Sequence, residues 1–245
     1  TMSMRICILE TDILRPQLIE QYQGYGLMFK QLFEKQSIPA QFDVFNVVQG
    51  NYPAADQQFD AYLITGSKAD SFGSDPWIAQ LREYLLARYE NGERLLGICF
   101  GHQLLASILG GKAERAAQGW GIGLNRYQLL EQPEWMSPKL DSLELLVFHQ
   151  DQVVELPANA TLLASSAFCP NAAYRIGDQV LCFQAHPEFV EDYELALLEL
   201  RRESLGEALH SEALQSMSMQ QQGVIVAEWM LRFVTQNKAR RRLAA

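Results

Sequence analysis

The chain is short of the features that mark membrane, metal and nucleic-acid proteins. No apolar run approaches the ~18 residues that a bilayer-spanning helix requires, and the N-terminus carries no charged-then-apolar signal pattern. A cytoplasmic protein with no membrane partner is therefore expected. Basic residues are scarce: 20 Lys and Arg stand against 29 Asp and Glu, a net charge of −9. Affinity for nucleic acid or anionic membrane rests on basic patches, so no nucleic-acid partner is expected either. The basic run KARRR at 238–242 reads instead as cations gathered at a helix C-terminus. Cysteine is sparse and scattered, at Cys7, Cys99, Cys169 and Cys182, with no CxxC pair, and no histidines cluster at metal-ligand spacing. A disulfide framework and a bound metal are both disfavoured. Cys7 and Cys182 lie inside apolar runs and read as buried thiols.

What is present is ordinary globular composition. Apolar residues make up 48% and charged residues 20% of the 245, enough to bury a core and to exclude wholesale disorder. No internal repeat breaks the chain, so residues 1–245 are expected to form a single domain. In its first part, short apolar runs alternate with helical stretches. Residues 4–10, 41–47, 60–65 and 93–99 read as strands. Residues 16–36 read as one helix with Pro16 in its first turn, 76–90 as a second capped by Asp75, and 101–109 as a third closed by Gly110-Gly111. Strands alternating with helices of this length imply a parallel sheet covered on both faces. From residue 112 the period changes to short strand-like pieces with no room for crossover helices, which fit hairpins or a mixed extension of the sheet. A hairpin turning at Gly177-Asp178 is expected near the end of this part. From Glu191 the pattern is helical, and Val226, Trp229, Met230 and Phe233 fall on one helix face. The polar stretch 211–223 is the candidate for a mobile connector, though it is short enough to be helical. The fold class is thus α/β, a flavodoxin-like doubly wound, mostly parallel sheet with an antiparallel extension and C-terminal helices.

The chemistry concentrates at two motifs. Gly97-Ile98-Cys99-Phe100-Gly101 sits where the fourth strand gives way to a helix, the cysteine form of a nucleophile elbow. Such a turn projects its middle side chain into the crevice at the sheet's carboxyl edge. Glycines flank it because a Cβ there would collide with the neighbouring strand or helix. The Phe100 N–H is left free to donate to an oxyanion, and the helix N-terminus favours a thiolate. The same residues would also suit a buried structural cysteine beside turn glycines. Gln184-Ala185-His186-Pro187-Glu188 weighs against that. A cysteine nucleophile needs a base, and the base needs an acceptor to orient it. Pro187 keeps the backbone extended, so that His186 and Glu188 project to one side.

GICFGHQ at 97–103 with HPE at 186–188 resembles the class I glutamine amidotransferases, in motif order and in separation, over roughly residues 4 to 190. Residues 191–245 would then form an appended helical segment. The resemblance implies a triad of Cys99, His186 and Glu188. It places ITGS at 64–67 at the oxyanion strand end, so that Gly66 and Phe100 would form the oxyanion hole. Relatives usually carry a second glycine where this chain has Ser67, which leaves Gly66 or Ser67 as the second donor. It also implies substrate contacts from Gln103, His149 and Gln150, and no role in catalysis for His102. The implied reaction is cysteine-dependent hydrolysis of the glutamine side-chain amide through a γ-glutamyl thioester, with no metal or organic cofactor. The substrate would be glutamine or a γ-glutamyl small molecule. No SGGxDS-like or GxxxxGK[ST] phosphate loop is present, so the ammonia would go to a separate synthase or to no partner. A freestanding γ-glutamyl peptide hydrolase is the first alternative, since plant γ-glutamyl peptidases share a GSDPWI-like segment, here at 73–78. A non-catalytic glutamine-binding regulator is the second, disfavoured because a sensor needs no nucleophile. An α/β-hydrolase is disfavoured because its acid precedes its histidine. Residues 67–75 are expected to border the opening of the pocket or to be a solvated connector.

Overall fold

The computed structural model describes residues 3–236. Strands β1 (Met4–Glu10), β2 (Ala40–Asn46), β3 (Ala61–Ile64), β4 (Leu95–Ile98) and β11 (Val180–Phe183) pair in parallel, in the order β2-β1-β3-β4-β11. The order of a flavodoxin-like sheet is thereby filled, except that its fifth strand arrives late in the chain. Before it come β6 (Gly121–Leu129), β7 (Ser142–His149), β9 (Thr161–Ser165) and β10 (Ala173–Ile176). These extend the same sheet antiparallel beyond β11, in the order β10-β9-β6-β7. The expected hairpin at Gly177-Asp178 joins β10 to β11. The remaining strands, β5 (Lys112–Arg115) and β8 (Asp151–Glu155), form a separate two-stranded ribbon.

Alternation along the central strands divides the core into two layers. Ile6 and Ile8 of β1, Leu63 of β3 and Leu181 and Phe183 of β11 pack on one face. There they meet Phe29 and Phe33 of α2 (Tyr25–Phe33) and Val226, Trp229, Met230 and Phe233 of α8 (Gly223–Thr235). Cys7, Leu9, Tyr62, Ile64 and Cys182 point to the other face. That face carries Ile78, Leu81 and Leu85 of α3 (Pro76–Glu90) and Leu104 and Leu105 of α4 (Phe100–Ile108). Burial on both faces explains why these strands read as continuous apolar runs.

Three expectations fail locally. The helix drawn over 16–36 is two, α1 (Pro16–Tyr22) and α2, separated at Gln23 and Gly24, where Gln23 takes a φ of 64° and ends the first. The break lets α1 leave the sheet and α2 bury Phe29 and Phe33 on it, a tertiary gain that outweighs uninterrupted helix. Asp75 precedes α3 as expected but makes no side-chain cap bond. The connector reading of 211–223 fails in its first half, where the helical alternative holds: α5 (Glu191–Leu200), α6 (Arg202–Leu205) and α7 (Glu207–Ser216) follow one another, and α7 buries His210 and Ala213. The KARRR run lies outside the described residues.

Candidate active site

Four strand ends meet at the carboxyl edge of the parallel half: β1 runs into Asp12, β3 into Gly66, β4 into Cys99 and β11 into His186. Cys99 has φ 53° and ψ −102°, a conformation L-residues rarely occupy, and α4 begins at the next residue. The flanking glycines are required by space. A Cβ on Gly97 would lie 2.7 Å from the Gly101 carbonyl oxygen, and one on Gly101 would lie 2.3 Å from that of Ile64. Phe100 opens the helix, so its N–H has no intrahelical acceptor. Gly66 is equally constrained, because a Cβ there would sit 2.7 Å from His186 Cε1 and 3.4 Å from Cys99 Cβ. The Thr11 hydroxyl donates to the Gly66 carbonyl at 2.8 Å and fixes the peptide beside the cysteine.

His186 and Glu188 project to one side, as the intervening proline implies. The His186 Nδ1 lies 2.9 Å from Glu188 Oε2, and both residues are buried. With Nδ1 occupied by the carboxylate, Nε2 is the nitrogen left for Cys99. Burial by itself disfavours a charged imidazole. The Glu188 carboxylate, and then the charge and hydrogen bond of Cys99, outweigh it and push the His186 pKa up to about 10. The ring therefore holds its proton at neutral pH beside the sulfur. Phe189 stacks on it at 3.9 Å between centroids and 11° between planes, leaving it little room to turn. The Gln184 amide donates to Cys99 Sγ at 3.4 Å and accepts from Gln103 Nε2 at 3.2 Å. Gln184, Phe189 and these contacts were not anticipated. For Gln184 the signal was there: alternation in an extended segment places 184, 186 and 188 on one side.

A cavity of about 200 Å³ opens from Cys99 and His186. Gln103, His149 and Gln150 all line it. Gln103 also donates to the Asp151 carbonyl at 3.1 Å, which leaves its side-chain oxygen as the group for an incoming donor. His149 Nδ1 lies 3.1 Å from that same carbonyl, and its buried Nε2 has no hydrogen-bond partner among the described residues. Burial lowers the His149 pKa to about 4, so the ring is neutral. His102 is fully buried, packs against Tyr174 at 5.0 Å and has its pKa pulled down to about 3 by burial; it lies outside the cavity lining. Residues 67–70 are pocket wall rather than solvated connector. Ser67, Lys68, Ala69 and Asp70 line the cavity, with Lys68 paired to Asp12, while Arg115 bridges Asp70 at 2.8 Å and Asp151 at 2.7 Å. Among the described residues no three His, Cys, Asp or Glu side chains gather as metal ligands, and no helix is long and apolar enough to cross a membrane.

Comparison with known proteins agrees with this architecture. "Gamma-glutamyl peptidase 3" of Arabidopsis thaliana is 36% identical over 176 residues, covering 69% of this chain and 70% of that protein. A glutamine-hydrolyzing GMP synthase component of Pyrococcus abyssi is 35% identical over 108 residues, covering 43% of this chain and 57% of that one. A crystal structure of a glutamine amidotransferase from Thermotoga maritima superposes with a TM-score of 0.75 at 18% identity, over 96% of this chain and all of that one. The family profile described as "Glutamine amidotransferase class-I" matches residues 30–199, and the chain is an enzyme of the class I glutamine amidotransferase family.

Proposed function

We propose that this enzyme hydrolyses γ-glutamyl amide bonds through a thioester on Cys99, and that its substrate is a γ-glutamyl peptide. The observation that carries the chemistry is the buried line Cys99–His186–Glu188 at the floor of a cavity, with Phe100 and Gly66 beside the sulfur. In the first half-reaction the Cys99 thiolate attacks the γ-carbonyl carbon. The carbonyl π electrons move to oxygen, which takes hydrogen bonds from the Phe100 and Gly66 N–H groups, or from Ser67 in place of Gly66. As the C–N bond breaks, the His186 imidazolium gives its Nε2 proton to the departing nitrogen, leaving a γ-glutamyl thioester and a free amine or ammonia. In the second half-reaction neutral His186 takes a proton from water, the hydroxide adds to the thioester, and the thiolate leaves. Glutamate is released and His186 is protonated again. Glu188 keeps Nδ1 protonated throughout and stabilises the imidazolium. Gln103, His149 and Gln150 hold the α-amino and α-carboxylate end of the glutamyl group. The cycle requires neither metal nor organic cofactor. The helices α5 to α8 belong to the same domain as the catalytic core: α5 lines the cavity and α8 packs on the sheet.

Two features favour a peptide over free glutamine. The cavity continues past His186 along α5, where a leaving group larger than ammonia would extend. The Arabidopsis relatives are named as γ-glutamyl peptidases. The similarity to a GMP synthase component supports a second reading, in which glutamine is hydrolysed and the ammonia passes to a separate synthase. Purified protein with no partner, assayed on glutamine and on γ-glutamyl dipeptides, separates them. Peptide turnover at about 1 per second or faster supports the proposal. Silence on peptides, with glutamine hydrolysis appearing only when a synthase is added, leaves the second reading.

A further inference from the structure

The half of the cavity away from the cysteine has the composition of a carboxylate receptor. Three cavity-lining residues on α5 and its C-cap, Tyr193, Leu197 and Arg201, are spaced by four and therefore lie along one helix face. Tyr193 stands closest to the catalytic histidine, with its ring edge on Phe189, which itself stacks on His186. Eight residues on, about 12 Å along the helix, Arg201 reaches the cavity. Arg15, at the N-terminus of α1, lines the same region together with Leu14 and Leu18.

These two arginines are arranged unfavourably for each other. Each is only partly exposed, they repel, and burial together with the Arg15 charge makes the Arg201 guanidinium harder to keep protonated. Among the described residues neither has a carboxylate within ion-pair distance. The acids that line the cavity are engaged elsewhere, Asp12 by Lys68 and both Asp70 and Asp151 by Arg115. Arg201 is held by stacking at 5.1 Å over the Trp120 ring and by a 3.4 Å bond to the Ser204 hydroxyl. Trp120 in turn meets Phe148 edge-on at 5.5 Å. The result is an apolar channel of Leu14, Leu18, Leu197, Trp120 and Phe148 with two uncompensated cations at its end.

His186 must face the departing nitrogen, so what lies beyond His186 receives the leaving group. We infer that Arg15 and Arg201 bind the terminal carboxylate of the leaving peptide, and that the channel selects a γ-glutamyl tripeptide whose leaving dipeptide begins with an apolar residue. A dipeptide spans about 7 Å when extended, and the arginine side chains cover the rest. This rests on the peptidase reading above.

The test compares γ-glutamyl-leucyl-glycine with its C-terminal amide, reading kcat/KM for each. One charge-assisted bond per arginine, at partly exposed positions, is worth about tenfold. The wild type should therefore prefer the acid by about a hundredfold, Arg15→Gln and Arg201→Gln by about tenfold each, and the double variant not at all, with the losses appearing in KM for the acid. A wild-type ratio near one overturns the inference, as does a ratio that the substitutions leave unchanged. A loss shared equally by acid and amide does so too, since it would mean a merely structural role. If γ-glutamyl peptides turn over under any of those outcomes, only the inference falls. If the wild type cleaves no γ-glutamyl peptide, the peptidase reading falls and takes the inference with it.

Discussion

Replacing Gly101 by alanine would test whether the elbow is fixed by close contact between α4 and β3. The new methyl carbon would lie 2.3 Å from the Ile64 carbonyl oxygen, 2.8 Å from Ile64 Cβ and 3.0 Å from its carbonyl carbon. Two of those atoms are backbone and cannot rotate away, so α4 must retreat from β3 by about 1 Å to restore ordinary contact. Two effects oppose. Alanine in a helix interior is favoured over glycine by up to ~1 kcal/mol, while overpacking costs ~1–3 kcal/mol and more against rigid neighbours. The clash wins, for a net loss of about 1–2 kcal/mol. In a chain of this size that lowers Tm by about 2–8 °C. The functional loss should be larger. Gly101 follows Cys99 by two residues and Ile64 precedes Gly66 by two, so the same retreat separates nucleophile from oxyanion donor. A displacement of ~1 Å costs on the order of a hundredfold in rate. The loss belongs mostly in kcat, because of the substrate-holding residues only Gln103 rides on α4, while His149 and Gln150 stay in place. Gly110→Ala is the control: it adopts φ 101° with no atom within 4 Å of a Cβ, so alanine brings backbone strain without a clash. Its Tm should fall while kcat holds. Differential scanning calorimetry and steady-state kinetics on both variants decide it. Wild-type kcat in Gly101→Ala, or equal kcat losses in the two variants, would refute the argument.

Cys99→Ser should lower turnover by about ten-thousand-fold or more with the fold intact, and a glutamine-like electrophile should label Cys99 by mass spectrometry, not Cys7, Cys169 or Cys182. Burial raises the pKa of each of those three thiols; an adduct on any of them would contradict the nucleophile assignment. Because Glu188 is the main influence holding the His186 pKa up at about 10, activity should persist to alkaline pH and fall as the imidazolium deprotonates near 10. Glu188→Gln should move that alkaline limb to lower pH, and an unmoved limb would mean that the carboxylate does not tune the ring. Glu194 is buried, accepts from the Gly123 N–H at 3.0 Å and has its pKa raised by burial to about 8. A carboxyl raised in the folded state costs nothing below about pH 4.5 and progressively more up to pH 8. Glu194→Gln, which keeps the acceptor, should therefore gain on the wild type by a few kcal/mol between pH 4.5 and 8.5 in urea titrations. An advantage independent of pH would show that the carboxyl is not strained by burial.

The parts of the molecule legible in the sequence are those decided locally. GICFG dictates a strand, a turn with positive φ and a helix, because glycines are needed wherever a Cβ would strike backbone, and the structure puts a clash at each flanking glycine. HPE fixes two side chains on one side through a single proline. Strands β1, β3, β4 and β11 were readable because burial on both faces leaves unbroken apolar runs. The break at Gln23 had a local signal in Gly24 and Gly26, but glycine is also tolerated inside helices, and the packing of α2 on the sheet is what turns the weak point into a break. Helix from Glu191 was readable, but the helical end of α7 within 211–216 was hidden: its polar, weakly periodic sequence gains a fixed place from contacts such as that of the Leu124 N–H with the Ser216 hydroxyl.

The walls of the cavity were hidden more deeply than its floor. The floor comes from strand ends that one sheet holds in register, so its residues follow from strand order alone. The walls come from α1, α5, the 67–70 loop and the ribbon bearing Arg115, which share no hydrogen-bonded register. Tyr193, Leu197 and Arg201 share a face with a spacing that serves amphipathic packing equally well, and nothing in it distinguishes a side chain facing a core from one facing a ligand. The difference lies in what stands opposite. Tyr193 meets aromatic rings, whereas Arg201 meets a second cation 186 residues earlier in the chain and no acid. Stability alone gives no reason to place two like charges against one partly buried channel. Such a pair is favourable once an anion lies between them, so the proposed carboxylate site would lie where sequence periodicity is least informative and where the folded chain carries an electrostatic cost of its own.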